Sequence, residues 1–299
     1  MTTRRRTDLR IFPPGPVKTE WVTGAILEGD AESVLTILPD DSVQCVVTSP
    51  PYWGVRDYKV NGQIGLEPKL EDYLAHIQQV FNQVWRVMKP DGVLWLNVGD
   101  VFSSGNRKYR APDGKYPQRA LSNRPPTPNG LKAKDLIAIP WRLALALQSA
   151  GWYLRTEVIW HKPNAMPESV QDRPARAHEY LFLFSKSERY KFSRSKLEAG
   201  NPKIMRNIWS IPTGRSEVDG HNAVFPEALI SPCVKAATDE GDLILDPFCG
   251  TGTVGRVCSK LNRRFIGIEL NPRFAKAAVK SLGKDICWMR VVKVIVKNH

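Results

Sequence analysis

The chain has 299 residues, enough for one large domain with insertions or for two modest ones. Its apolar share of 42% is typical of a globular protein, and it lacks the run of about 18 apolar residues that a transmembrane helix requires, which argues against a membrane-spanning protein. A net charge of +13 and an isoelectric point near 9.6 predict an anionic partner such as nucleic acid.

The five cysteines are widely scattered and show no zinc-site spacing, which is typical of reduced thiols in the cytosol. No apolar stretch of the kind found in signal peptides follows the arginine-rich first twelve residues. We therefore expect a cytoplasmic protein. Arginines and then prolines and a glycine mark the first twenty residues, and this composition predicts a flexible basic arm over residues 1–20.

A short apolar segment at residues 25–28 predicts the first strand of the fold. The chain continues into Gly29 and Asp30, so the Asp30 carboxylate is expected at the carboxyl end of that strand. Open α/β sheets bind ligands at the carboxyl ends of their strands. Asp30 is therefore a candidate site residue.

The β-branched run at residues 43–47 predicts a strand buried on both faces, and it leads into the motif Ser-Pro-Pro-Tyr at residues 49–52. Because proline cannot donate to a sheet ladder, the motif must lie beyond the carboxyl end of the strand. The residue before each proline is held extended, which fixes the Ser49 hydroxyl and the Pro50 carbonyl as hydrogen-bond acceptors. Such a corner suits a planar amine, although the motif alone is equally consistent with an ordinary loop.

Strands and helices alternate after this corner. Apolar residues at three- and four-residue steps predict a helix over residues 70–88, and residues 93–98 predict a buried strand that ends at Asp100. This alternation predicts a parallel, doubly wound sheet. Residues 154–160 and 180–184 read as two strands without a full helix between them, which predicts an antiparallel hairpin at the edge of the sheet.

Two segments carry a surplus of basic residues. Residues 103–134 hold eight lysines and arginines against one acid, Asp113, and predict a long basic loop over DNA phosphates. Residues 186–220 lose periodicity while basic residues return, and we interpret them as a candidate target-recognition region. Plain disorder for the first segment and a solvated connection for the second remain the alternatives. The candidate DNA-contacting residues are Arg107, Lys108, Arg110, Lys191, Arg194 and Arg206.

A second motif, Asp-Pro-Phe-Cys-Gly-Thr-Gly at residues 246–252, lies between a predicted strand and a predicted helix, the geometry of a nucleotide site. The following glycine at position 255 completes a dinucleotide-like pattern, and Glu269 ends the next strand. A dinucleotide would place its pyrophosphate beside the Asp246 carboxylate. S-adenosylmethionine instead brings cationic groups that a carboxylate attracts, so we favour the methyl donor.

The two motifs together resemble those of the amino-methylating DNA methyltransferases of the circularly permuted β group, in which Ser-Pro-Pro-Tyr precedes Asp-Pro-Phe-x-Gly-x-Gly. Further matching pieces at residues 65–67, 89–92, 160–164 and 221–226 follow the order of that family, so the resemblance covers nearly the whole chain. It implies an α/β, Rossmann-like fold of S-adenosylmethionine-dependent methyltransferases, with a seven-stranded mixed sheet, circular permutation and basic insertions. The catalytic domain would comprise residues 21–102, 135–185 and 221–290.

Members of that family with serine before Pro-Pro-Tyr mostly methylate the exocyclic N4 of cytosine. The resemblance therefore implies direct methyl transfer from S-adenosyl-L-methionine, without a metal, to a cytosine flipped out of double-stranded DNA. Methylation of adenine N6 is the alternative within this class, and a non-catalytic nucleic-acid-binding protein that retains the fold is the alternative from another class. RNA or a protein amide as methyl acceptor also stays open.

The partner and assembly of such an enzyme are less constrained. The resemblance is compatible with a restriction-modification system, in which a restriction endonuclease acts on the same site. The sequence leaves the recognised site open, and it leaves the oligomeric state open between monomer and dimer.

The expected site residues belong mainly to the two motifs. Ser49 and Pro50 would accept the amine hydrogens, and Tyr52 would stack on the base, so the expected catalytic residues are Ser49, Pro50, Pro51 and Tyr52. We expect Glu269 to accept the ribose hydroxyls of the donor and Asp30 to lie near the adenine amine. The expected donor-binding residues are Asp30, Thr48, Phe225, Asp246, Phe248, Gly250, Thr251, Gly252, Thr253 and Glu269. Cys233, in the single Pro-Cys pair, is expected to pack in the core.

Overall fold

The computed structural model describes residues 10–12, 24–105, 109, 124–198, 206–214, 225–283 and 287–291. Its strands are β1 (Arg10–Phe12), β2 (Gly24–Glu28), β3 (Val43–Thr48), β4 (Met88–Val98), β5 (Tyr153–His161), β6 (His178–Ser185), β7 (Ile208–Ser210), β8 (Leu243–Asp246), β9 (Arg264–Glu269) and β10 (Cys287–Val291). Its helices are α1 (Ala31–Leu35), α2 (Leu70–Val87), α3 (Ile139–Ser149), α4 (Arg194–Glu198), α5 (Glu227–Ala237), α6 (Thr253–Lys260) and α7 (Pro272–Leu282).

All of these strands form one mixed sheet in the order β1-β10-β2-β9-β8-β3-β4-β6-β5-β7. Neighbours are parallel except at β6, which runs antiparallel to both β4 and β5. The predicted α/β class is therefore confirmed, and the described residues form ten strands where seven were expected. Seven contiguous strands, from β2 to β5 in the sheet order, lie inside three short edge strands, β1, β10 and β7. Strands of three to five residues are too short to show a clear period in the sequence.

The edge strands also change the predicted domain boundaries. β1 falls within the arm predicted over residues 1–20 and pairs in parallel with β10. β7 falls within the segment predicted to recognise DNA and pairs in parallel with β5. The β5–β6 hairpin is antiparallel as predicted, but β7 lies outside it at the edge of the sheet.

Helices cover both faces of the sheet. Helices α1, α2 and α3 pack on one face, and α5, α6 and α7 pack on the other. Successive residues of β3 point to opposite faces, so Val46 is buried with the first group of helices and Val47 with the second. This double burial explains why the sequence of β3 is a continuous apolar run with no polar alternation.

The periodic segment at residues 70–88 forms α2, and its apolar residues Tyr73, Ile77, Phe81 and Val84 are fully buried. Residues 89–92, which were predicted to end the helix in a turn, instead belong to β4. That strand pairs with β3 at Val43 and resumes after a shift of register. Across the described ranges, no helix combines the length and apolar character needed to span a membrane.

Candidate active site

A cavity of about 1310 Å³ opens at the carboxyl ends of the parallel strands β2, β3, β4, β8 and β9. Both sequence motifs line it, through residues 49–52 on one side and Phe248 and Gly250 on the other. Ligand pockets in proteins are commonly about 300–1,000 Å³. The volume is therefore sufficient for two ligands placed side by side.

The Ser-Pro-Pro-Tyr corner leaves β3 at Thr48 and turns into the cavity. The hydroxyl of Tyr73 on α2 donates to the Pro51 carbonyl at 2.9 Å, which holds the turn against the helix. The carbonyl of Pro50 has no hydrogen-bond partner within the described ranges, and Pro50 lines the cavity. Gly99 lies under the ring of Tyr52, where a Cβ atom would come within 2.5 Å of that ring. The glycine therefore makes room for the tyrosine.

A chain of hydrogen bonds begins at Ser49. Its hydroxyl donates to the Tyr52 hydroxyl at 3.3 Å, and the Tyr52 hydroxyl donates to Glu179 Oε2 at 3.0 Å, with a longer contact to Asn97 Oδ1 at 3.4 Å. The ammonium of Lys162 forms an ion pair with Glu179. Burial, followed by the charge of Glu179, raises the pKa of Tyr52 well above its usual value, so the phenol stays protonated.

The second motif is joined to the first below the cavity floor. Asp246, at the end of β8, is buried and accepts hydrogen bonds from the Thr48 hydroxyl at 2.7 Å and from the Phe248 N–H at 3.1 Å. Burial raises the pKa of Asp246 to about 7. Thr48 and Asp246 are therefore behind the cavity wall, where they tie the ends of β3 and β8 together.

Glu269 ends β9 and lines the cavity. One carboxylate oxygen accepts from the Gly250 N–H and the other from the Asn271 N–H, both at 2.8 Å, so the carboxylate is held in one orientation. Burial raises the pKa of Glu269 to about 7. Asp30 lies beyond the neighbouring strand β2, where it caps α1 by accepting from the Ser33 N–H at 2.9 Å.

The glycine turn depends on backbone angles that glycine tolerates. Gly250 and Gly252 have φ values of 52° and 84°, in the left-handed region, and Gly252 is the residue before α6. Of the expected donor-binding residues, the cavity is lined by Asp30, Phe225, Phe248, Gly250, Thr253 and Glu269. Thr48, Asp246, Thr251 and Gly252 do not line it.

The expected DNA-contacting residues are not brought to the cavity. Arg107, Lys108 and Arg110 lie outside the described residues. Lys191 pairs with Asp239 and with Asp242 at 2.7 Å each, near the amino end of β8 and so at the opposite end of the sheet from the cavity.

The two remaining candidates are also away from the cavity. Arg194 begins α4, whose start is hydrogen-bonded to the last turn of α5 near that same amino end. Arg206 precedes β7, and neither arginine lines the cavity.

Other basic residues do line it. Arg173 and Arg176 lie beside the ring of Phe102, with the guanidinium carbons 3.7 Å and 5.9 Å from its centroid. Both belong to the polar connection between β5 and β6, whose charges are visible in the sequence but whose position depends on the reversal of β6. Sequence reasoning also gave no role to Asn97 or Glu179 of the hydrogen-bond chain.

Cys233 is buried in α5, as predicted, and its Sγ lies 3.3 Å from the Leu229 carbonyl. Burial raises the pKa of this thiol well above its usual value. Within the described residues, no group of three or more His, Cys, Asp or Glu side chains is arranged to hold a metal ion.

Solved structures with this fold are DNA methyltransferases. TTHA0409 of Thermus thermophilus, a DNA modification methylase in complex with S-adenosyl-L-methionine, is 25% identical with a TM-score of 0.65 over 90% of this chain and 99% of that one. The cytosine-N4-specific PvuII DNA methyltransferase is 23% identical with a TM-score of 0.65, over 85% of this chain and 84% of that one, and this likeness shows the fold alone.

Sequence identity is higher to type II methyltransferases. M.XycI of Xanthomonas campestris pv. cyanopsidis is 52% identical over 277 residues, 91% of each chain. M.SmaI of Serratia marcescens is 50% identical over 259 residues, which cover 85% of this chain and 88% of that one. Residues 43–280 also match the N6/N4 methyltransferase family, described as DNA methylase. The chain therefore belongs to this family and is a DNA methyltransferase.

Proposed function

We propose that this protein transfers a methyl group from S-adenosyl-L-methionine to the exocyclic N4 of a cytosine flipped out of double-stranded DNA. The observation that carries the proposal is the convergence of two motifs on one cavity. Thr48 and Asp246, 198 positions apart in the sequence, are joined by a hydrogen bond of 2.7 Å beneath it. The acceptor corner and the glycine turn consequently face the same space.

The glycine-turn side of the cavity fits the methyl donor. Asp30 and Glu269 follow adjacent parallel strands and place carboxylates on one wall, while Gly250 lets the backbone approach a ligand closely. The fixed Glu269 carboxylate is suited to accept from the ribose hydroxyls. S-adenosyl-L-methionine supplies an electrophilic methyl group carried on a sulfonium.

The Ser-Pro-Pro-Tyr side fits the methyl acceptor. The amine of cytosine is a poor nucleophile because its lone pair is delocalised into the ring. Hydrogen bonds from the amine to the Ser49 hydroxyl and the Pro50 carbonyl favour a tetrahedral nitrogen whose lone pair points at the donor. Tyr52 provides a ring on which the flipped base stacks, and positioning supplies most of the rate acceleration.

The assignment to cytosine N4 is supported by serine at position 49, and the assignment to the permuted β group by the order of the two motifs in the chain. Methylation at carbon 5 would need a cysteine nucleophile. Cys233 does not fit that role because it is buried and its thiol pKa is raised. Adenine N6 remains the alternative acceptor.

The biological setting is proposed from the relatives. Because M.XycI and M.SmaI are type II methyltransferases, we propose that this enzyme protects DNA within a restriction-modification system. Its partner there would be an endonuclease that cleaves the same unmethylated site.

The test is methyl transfer from tritiated S-adenosyl-L-methionine to DNA, followed by mass spectrometry of the hydrolysed nucleosides. We expect N4-methylcytosine as the product. Exclusive formation of N6-methyladenine would overturn the base assignment, and donor binding without transfer to any DNA would favour a non-catalytic binding protein. The Ser49→Ala variant serves as the inactive control.

A further inference from the structure

We propose that Glu179 is a positioning residue for the methyl-transfer reaction. It sets the direction of hydrogen bonding along the chain Ser49–Tyr52–Glu179, so that Ser49 can only accept from the amine of the target base. The inference rests on the proposed function and adds a residue that lies outside both sequence motifs.

The position of Glu179 follows from the reversal of β6. Because β6 is antiparallel to β4 and β5, its first residues meet the carboxyl ends of those strands. Glu179 pairs with Trp160 near the end of β5, and Tyr180 pairs with Val98 at the end of β4. A carboxylate is thereby delivered to the cavity within 3.0 Å of the Tyr52 hydroxyl, from 127 positions away in the sequence.

The donors and acceptors at the Glu179 end allow one direction only. An ammonium can only donate and an ionised carboxylate can only accept, so Lys162 donates to Glu179, and Tyr52 must donate to it as well. The amide nitrogen of Asn97 donates to the Tyr180 carbonyl at 3.0 Å, which turns its oxygen, a second acceptor, toward Tyr52.

The consequence reaches Ser49. Since the single hydrogen of Tyr52 is used toward Glu179, its oxygen accepts from Ser49, and the hydrogen of Ser49 is used in turn. Only lone pairs of Ser49 then remain for a ligand. A serine that was free to rotate could donate to the ring nitrogen beside the amine and bind the base without activating it. Hydrogen bonds in series also polarise one another, which makes Ser49 a stronger acceptor.

The test uses Glu179→Gln, Tyr52→Phe and the double variant in the full-length enzyme. The amide of glutamine can donate to Tyr52 and so reverse the chain. We expect Glu179→Gln to lower the single-turnover rate of methyl transfer on the order of 10- to 100-fold while the Kd for S-adenosyl-L-methionine changes less than about twofold. On the Tyr52→Phe background, the Glu179→Gln change should have almost no further effect, because the connection to Ser49 is already lost.

A matched control separates this effect from the loss of an ion pair. Glu227 is half-buried and pairs with Arg256 and Lys260, outside the cavity lining, so Glu227→Gln should keep the wild-type rate. A wild-type rate for Glu179→Gln, or a loss that multiplies with that of Tyr52→Phe, would overturn the proposal.

Two further outcomes are also decisive. If Glu179→Gln does not fold, Tyr52→Phe alone must show the same loss of rate with retained donor affinity, and a wild-type rate for it would overturn the proposal. Absence of N4-methylcytosine from the wild-type product would instead reject the proposed function, which the variants do not test.

Discussion

At the scale of single residues, the donor side of the cavity combines function with a cost in stability. Asp246 is buried with one acidic group and no basic partner within hydrogen-bond reach in the described chain, and its pKa is raised to about 7. An unfolded aspartate ionises near pH 3.9. Between these values the folded protein binds more protons than the unfolded chain, so the contribution of Asp246 to stability falls as the pH rises.

This sign leads to a prediction for Asp246→Asn. The amide oxygen can still accept from Thr48 and Phe248, but no charge is buried above pH 7. The variant should therefore gain at least about 1 kcal/mol of unfolding free energy relative to wild type at pH 8, and lose that advantage at pH 4. Urea denaturation at the two pH values checks this. An equal difference at both pH values would show that ionisation of Asp246 is not its cause.

A second prediction concerns the division of roles between the two sides of the cavity. Glu269→Ala should weaken binding of S-adenosyl-L-methionine at least about tenfold, since it removes the carboxylate held by Gly250 and Asn271. Ser49→Ala should leave donor affinity unchanged and cut turnover by about 100-fold or more. Titration calorimetry and single-turnover kinetics measure the two effects, and the reverse pattern would contradict the assignment.

At the scale of secondary-structure elements, the sequence was informative wherever an element was long and regularly patterned. The apolar run of β3 and the periodicity of α2 led to correct predictions because each is buried on a defined face. β1 and β7, of three residues each, give no comparable pattern. Glu179 could not be found as a site residue from its neighbours in the chain, because its role depends on the direction of β6.

The connection between β5 and β6 gives a third prediction. Arg173 and Arg176 line the cavity, whereas Lys191 and Arg194 do not. Changing Arg173 and Arg176 together to alanine should therefore weaken DNA binding and lower the salt dependence of the affinity. The matched double change of Lys191 and Arg194 to alanine should have a smaller effect. Fluorescence anisotropy at several salt concentrations compares the two pairs, and a larger effect of the second pair would return DNA binding to the predicted region.

At the scale of the whole molecule, the net charge of +13 must be distributed so that DNA is guided to one opening. Part of the basic charge is neutralised far from the cavity, as in the pairs of Lys191 with Asp239 and Asp242. The predicted basic loop, residues 103–134, is placed differently. Its described flanks, Ser103 and Ser104 on one side and residues 124–126 on the other, line the cavity.

This placement supports a fourth prediction, that the loop contacts phosphates at the entrance of the cavity. Phosphate contacts are independent of sequence and release counterions, and each contributes about 0.9 to the slope of log affinity against log salt. Changing Arg107, Lys108 and Arg110 together to glutamine should therefore weaken binding to all DNA and reduce that slope by up to about 2.7. The methylated sites should stay the same, because base-edge contacts and not phosphate contacts select sequence. Genome-wide modification sequencing of the triple variant checks this, and methylation at a different set of sites would show that the loop reads bases.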